Sequence, residues 1–255
     1  MNYLEIINRR RSVYTLTDRL PIGENELVGI VEETVVATPS PFNVQSGRAV
    51  ILLGEQHKLL WDAIVYDTLK AIVPEDAFEN TAAKLSGFAA GAGTILFLED
   101  QDAVDGLKER FPTYAAAFDG FAAHALGMIE VNVWNALAEQ GIGANLQHYN
   151  PLIDDMVKSR WGIPASWTLA SEMVFGGIAR PADPIEKLPA GERVRVIRRS
   201  WTTRHLPHAR PDPAWVTVFA ELRWRRPKGP VTACDRPLRS GKAIGATGMA
   251  MGAGR

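Results

Sequence analysis

The chain has 255 residues, 46% of them hydrophobic, and a net charge of −1 at pH 7; that length can bury a sizeable core and suits one or two domains. Near-neutrality gives no reason to invoke nucleic acid, and a single cysteine, Cys234, excludes an intrachain disulfide framework and a cysteine-rich metal centre. The longest apolar run, residues 88–98, is too short and too rich in glycine and alanine to cross a bilayer, and no basic start precedes an apolar stretch, so a cytoplasmic protein is expected.

The overall neutrality hides a division. Residues 1–197 hold 16 Lys+Arg against 26 Asp+Glu, whereas residues 198–255 hold 12 against 3, so the two parts carry −10 and +9.

Residues 2–11 place Leu4, Ile6 and Ile7 on an apolar stripe ahead of a basic cluster, which predicts a short helix. Pro21, Ile22 and Gly23 break the pattern. Leu27, Ile30, Val31, Thr34 and Val35 then recur at helical spacing over residues 24–37, and the prolines at 39 and 41 end that helix in an extended loop. Residues 48–53 and 93–98 are β-branched and apolar between glycines, and predict two buried strands. The two helices expected between them, over 55–73 and 75–88, make a connection long enough for a crossover, so parallel or mixed pairing is possible, while pattern alone does not fix strand order.

Residues 114–140 form the longest periodic stretch. It is rich in alanine and apolar nearly all round, which demands burial on more than one side and points to a subunit interface. A helix is expected over 154–161, a strand over 167–176, and a polar proline-bearing connector over 181–188. Arg193 to Ile197 alternates arginine with valine and predicts a closing strand with two guanidiniums on one face. The class is α+β.

The first domain is expected to end at about residue 197. Residues 198–255 contain six prolines, three tryptophans and the run Arg223-Trp224-Arg225-Arg226, and residues 241–255 are rich in glycine, alanine and methionine. Such a basic segment with little apolar clustering predicts disorder.

Three segments carry chemistry. Arg9, Arg10, Arg11 and Ser12 end a helix with guanidinium forks that match phosphate, although a basic run taken alone reads as a solvated face. Residues 39–45 offer prolines that fix an extended path, then Ser40, Asn43 and Gln45, whose amides can serve a heteroaromatic ring edge as donors and acceptors. Residues 141–151 open with two glycines that permit close backbone approach, then present Asn145, Gln147, His148 and Tyr149.

The order and spacing of these segments, with the arginine-bearing stretch near residue 193, resemble the nitroreductase family over about residues 1–197. The version at 145–151 is similar to a subgroup of small bacterial nitroreductases and yeast proteins tied to fatty-acid repression. The resemblance implies a central mixed, mainly antiparallel sheet flanked by helices, and a homodimer with one FMN at each of two interfacial sites. It also implies NADH or NADPH as reductant and a small nitroaromatic or quinone acceptor, in ping-pong alternation.

Carried over residue by residue, it implies that Arg10, Arg11 and Ser12 contact the FMN phosphate and ribityl oxygens. Ser40, Asn43 and Gln45 would pack on the flavin, often that of the opposite subunit. Gln147, His148 and Tyr149 would run past its redox-active edge, and Arg193 or Arg195 would reach the phosphate, with Arg193 preferred. His148 has the titration range of a proton carrier, but flavin chemistry asks the protein for orientation and electrostatics, so a pocket-shaping role is expected. Trp61, Trp134, Trp161 and Trp167 read as packing residues, with Trp134 the one expected near a flavin.

Other site types are poorly supported. His205 and His208 have partial metal-ligand spacing without a second pair, so no metal is expected. The glycines at 87, 91 and 93 precede their strand, whereas a dinucleotide fingerprint follows one. Two other classes stay open: a flavin- or lipid-responsive regulatory binding protein without significant turnover, and a binder of anionic polymers acting through residues 198–255. That basic segment departs from the family pattern, and its composition resembles translation in an unintended frame, which leaves a sequence artefact and a recent extension both open.

Overall fold

In the computed structural model, which describes residues 2–197, the first helix, α1 (Tyr3–Arg9), opens on a reciprocal cap. The Asn2 side chain accepts the Glu5 N–H and the Glu5 carboxylate accepts the Asn2 N–H, both at 3.0 Å, which satisfies donors the first turn leaves free. The chain leaves α1 in extended form at Arg10, and Ser12 makes a parallel bridge to Ala144. Val13 then donates to the Ala144 carbonyl at 2.9 Å, so the arginine-serine segment is fixed along the strand that holds Ala144.

Five strands form one sheet: β1 (Thr15–Thr17), β2 (Gly47–Leu53), β3 (Gly93–Asp100), β4 (Gly143–Gln147) and β5 (Trp167–Arg180). The order is β1-β5-β3-β2 with β4 also on β5, and all pairings between these strands are antiparallel. β5 is the hub. Its residues 167–175 pair with β3, 172–176 with β4 and 177–180 with β1. β1 and β5 approach closely at Gly176, where a Cβ would stand 2.3 Å from the Thr17 carbonyl oxygen.

β2 and β3 pair antiparallel, in register from Gly47 opposite Glu99 to Leu53 opposite Gly93. The reason lies in the chain between them. α3 (Gly54–Leu59) continues through a π-helical turn, Leu60–Val65, into α4 (Tyr66–Lys70), and α5 (Glu75–Ala89) brings the chain back to the end it left.

Both faces of β3 are buried, which explains its unbroken apolar run. Leu96 and Leu98 join Leu52, Trp61, Val65, Leu85 and Phe88 in one core cluster, with Val157 of α8 (Asp154–Trp161). Ile95 and Phe97 join Leu27 and Val31 of α2 (Glu24–Ala37), and Leu126, Ile129, Val133 and Leu137 of α7 (Ala115–Glu139), in the other. α7 also leaves Phe121, Met128 and Val131 exposed. α6 (Gln101–Arg110), absent from the sequence expectations, packs Val104 and Leu107 against Phe118.

The chain divides after Lys187 into two units. In the second, residues 190–193 form a short helix, α9 (Ala190–Arg193), closed by the Val194 N–H on the Ala190 carbonyl at 2.8 Å. The strand expected over 193–197 is therefore not formed. Residues 194–197 pair with no strand among the described residues, and Val194 and Val196 are exposed, so the alternation has no apolar surface to lie on. The expectations for residues 198–255, including Cys234, His205 and His208, lie outside the described residues. Among the described residues, no helix is long and apolar enough to cross a membrane, and no group of three His, Cys, Asp or Glu side chains could hold a metal.

Candidate functional site

A cavity of about 410 Å³ lies where the segment after α1 meets the segment after β5. Arg10, Arg11, Ser12, Tyr14 and Thr15 line one side, and residues 180–187 line the other, with Arg180, Asp183 and Lys187 its charged members. Three guanidiniums and an ammonium thus share the lining with one carboxylate and three hydroxyl side chains. This is the donor set of an anion site.

Local structure holds this set in place. Arg11 donates through Nη2 to the Asp183 carbonyl, tying the two walls together. Arg10 lies with its guanidinium carbon 4.4 Å from the centre of the Trp134 ring on α7. Burial, and then the neighbouring charge of Arg11, push the Arg10 pKa down, but a guanidinium keeps its charge at any working pH. Arg180 and Asp183 stand 3.6 Å apart on an exposed surface, a pair too well solvated to neutralise the cavity.

The second segment lines a different cavity. Ser40 and Gln45 stand at one end of an apolar groove of about 860 Å³, walled by Val31 and Val35 of α2, Ala49 and Ile51 of β2, and Ile129 of α7. The loop that carries them is strained. Phe42, Asn43 and Gln45 all take positive φ, at 52°, 54° and 51°, each costing about 1 kcal/mol or more for a side chain of that size. Two features offset this. The Ser40 hydroxyl accepts the Gln45 N–H at 2.9 Å, and the Phe42 ring packs 4.8 Å from Phe111 and 5.6 Å from Phe118. Asn43 has its N–H on the Ser40 carbonyl, and its own carbonyl accepts the Gln45 side-chain amide at 3.3 Å.

The third segment is a strand rather than a turn at its start. β4 buries Asn145 and Gln147, whose side chains bond each other at 2.8 Å, and the Asn145 amide also donates to the Val13 carbonyl at 2.8 Å. The Gln147 side chain therefore braces the arginine-serine segment from inside the core. His148 is exposed. Tyr149 turns inward, its ring 5.6 Å from Trp61, while its N–H donates at 3.0 Å to Glu172 on β5.

Glu172 has no solvent exposure, and one of its oxygens has no partner among the described residues. Burial pushes its carboxyl up to about 8, against the pull of the Tyr149 N–H, and Asp154 adds to the rise. Burial, reinforced by Glu172, also raises the Tyr149 phenol to about 12. Burial pushes His57 down to about 4; its Nδ1 lies 2.8 Å from the Thr94 hydroxyl, which also takes the Trp61 indole N–H.

Arg10, Arg11 and Ser12 are thus brought together on one cavity, whereas Ser40 and Gln45 line another. Arg193 sits on α9 in the second unit. The sequence reading missed Arg180 and Lys187 as members of the anion cavity, because they flank a proline-bearing stretch that reads as a connector. Their signal was weak but present: two cations bracketing a short loop directly after a buried strand.

Comparison with known proteins bears on this arrangement. Residues 7–177 match the model of the nitroreductase family. A yeast protein described as putative nitroreductase HBN1, from Saccharomyces cerevisiae, is 40% identical over 182 residues, covering 70% of this chain and 89% of the relative. The structure of nitroreductase CinD from Lactococcus lactis in complex with chloramphenicol superimposes with a TM-score of 0.71 at 43% identity, covering 77% of this chain and all of the other. A nitroreductase with bound FMN from Desulfitobacterium hafniense shares the fold at a TM-score of 0.59 and 17% identity, covering 78% of this chain and 100% of that one.

Proposed function

From the premise that the chain belongs to the nitroreductase family of oxidoreductases, we propose that it is an FMN-dependent NAD(P)H oxidoreductase acting on nitroaromatic or quinone acceptors. The observation that carries this reading is the cationic cavity built from both ends of the first unit, with Arg10, Arg11 and Ser12 opposite Arg180 and Lys187. Its donor set fits a phosphate monoester. Several fixed cations against one carboxylate favour a dianion, and the hydroxyls of Ser12 and Thr15 suit a polyol next to it.

FMN, when bound, supplies the redox chemistry, accepting hydride from NADH or NADPH and passing the electrons on in a ping-pong alternation. The protein's share is binding and orientation. Arg10 and Arg11 hold the phosphate end. Where the chain leaves β4, the Tyr149 N–H is held by Glu172, so His148 would present its backbone N–H to the redox-active edge and shape the pocket from its exposed position.

Ser40, Asn43 and Gln45 complete the site from a second copy of the chain. Support for a homodimer comes from their separation from the anion cavity within one chain and from the apolar surface around them. Val36 of α2 is exposed on the apolar groove, and Phe42 and, on α7, Phe121, Met128 and Val131 are further exposed apolar side chains, surface that favours a partner over water. Strain at Phe42, Asn43 and Gln45 is the expected mark of a loop shaped for a ligand.

The test is the absorption spectrum of the purified protein, identification of any released chromophore, and titration with NADH or NADPH without oxygen. A yellow protein carrying FMN that bleaches, and that turns over a nitroaromatic or quinone in the steady state, supports the proposal. Failure to bind added FMN overturns it. Flavin binding without turnover overturns the enzyme and favours the regulatory binding protein.

A further inference from the structure

The geometry points to Trp134 as a positioning residue that holds Arg10 in its anion-binding orientation, so that part of the affinity for the phosphate of the cofactor resides in an indole ring on α7. This inference rests on the FMN reading above.

Arg10 and Arg11 are consecutive cations on one cavity, and each repels the other from it. Arg11 is held by the Asp183 carbonyl. Arg10 instead lies over Trp134, 4.4 Å from the ring centre. A cation over an indole face is attracted by the ring quadrupole, and the attraction grows where water is thinned out. Arg10 is in such a place, since its pKa is lowered first by burial.

The position over the ring also bears on direction. A guanidinium carries five N–H donors around its edge, and Arg10, held over the ring, lines the cavity that those donors can reach. The Trp134 indole N–H is buried without an acceptor among the described residues, so what the ring gives the site is its face. An unclamped Arg10 would turn away from Arg11 towards water and would have to be reordered each time an anion binds. Trp134 does not line the cavity itself; it acts through Arg10.

The experiment compares wild-type apoprotein with Trp134→Leu and Trp134→Phe, measuring dissociation constants for FMN and for riboflavin, which lacks the phosphate. Trp134→Leu is expected to weaken FMN about 5- to 30-fold, the worth of a partly desolvated cation–π contact, and to leave riboflavin within about 2-fold. Trp134→Phe keeps an aromatic face and is expected to restore most of the loss. In a cycle with Arg10→Gln, the two losses should not add, because both remove one interaction.

Equal weakening of both flavins by Trp134→Leu, no weakening of FMN, or full additivity with Arg10→Gln would overturn the inference. Wild-type protein that binds neither flavin would instead refute the FMN reading. The clamp would then be judged on inorganic phosphate, with the same variants and the same expected order. Should Trp134→Leu fail to fold, as thermal melting would reveal, Trp134→Met, which also lacks an aromatic face, and the Arg10→Gln cycle built on it decide the matter.

Discussion

Glu172 is the group through which pH should act on this fold. Its carboxyl is completely buried and pushed up to about 8, so the folded protein keeps a proton there that an unfolded chain releases near its ordinary value of 4.5. The folded state then binds more protons between those limits, and stability falls as pH rises through them. At about 1.4 kcal/mol per unit the whole shift sets a ceiling of about 5 kcal/mol. His57 works with the opposite sign. Burial holds its pKa down to about 4, below its ordinary value of 6.5, so its contribution is lost as pH falls between those limits. Glu99 and Asp154 are also raised by burial and therefore act with the sign of Glu172.

Above about pH 6.5 the His57 contribution is complete, and linkage for Glu172 gives a loss of about 2 kcal/mol by about pH 9. Urea unfolding of wild type and Glu172→Gln across that interval measures it. The amide that replaces the carboxyl keeps an acceptor for the Tyr149 N–H but has no proton to lose, so the variant should gain about 2 kcal/mol on wild type as pH rises. Parallel pH profiles for the two proteins, or a wild type whose stability is flat over the interval, would refute the reasoning.

Arg11→Ala removes both a cavity cation and the tie to Asp183, and is expected to weaken FMN by more than about 10-fold, read by flavin fluorescence titration. Gln45→Gly relieves a positive φ of 51°; stability should rise by up to about 1 kcal/mol in urea unfolding while FMN affinity falls. Phe97→Ala empties a fully buried position on β3 and should cost about 3–5 kcal/mol by the same measurement. Gly176→Ala forces a Cβ against the Thr17 carbonyl oxygen and should cost about 1–3 kcal/mol, read as a lowered melting temperature.

Long elements with both faces or a full helical stripe buried were legible. α2 runs from Glu24 to Ala37 as its apolar spacing predicts, and α7 from Ala115 to Glu139 lies one residue inside its expected bounds at each end. α6 escaped notice because only Val104 and Leu107 mark its buried side in a decapeptide that is half charged. β1 is three residues long, too short for any period to declare itself. The Arg193–Ile197 alternation misled for the converse reason: period two is necessary for a half-buried strand, but an open edge and an apolar floor must also be present.

Within the site, residue chemistry was easier to read than placement. The arginines at 10–11, which as a basic run alone read as a solvated face, were singled out by the resemblance that includes Ser12, and the structure places all three on one cavity. That Gln147 braces the core, and that Tyr149 packs on Trp61, depends on the pairing of β4 with β5, which local pattern does not encode. Arg180 and Lys187 required knowing that the end of β5 returns to the beginning of the chain.

That return has a consequence for how the protein is made. Among the described residues, β5 is the only strand that pairs with β1, β3 and β4, and it is the last strand of the first unit to leave the ribosome. Until it emerges, the β2–β3 hairpin and its covering helices can assemble, but Thr15 must wait for Arg180 and Gln147 for Glu172. Loop closure over so much chain is slow. The nascent polypeptide thus carries an open edge on β3, exposed to other chains, from the emergence of β3 until that of β5. Translation speed around residues 167–180, and chaperone access before them, should govern the yield of active protein more than any change within the early helices.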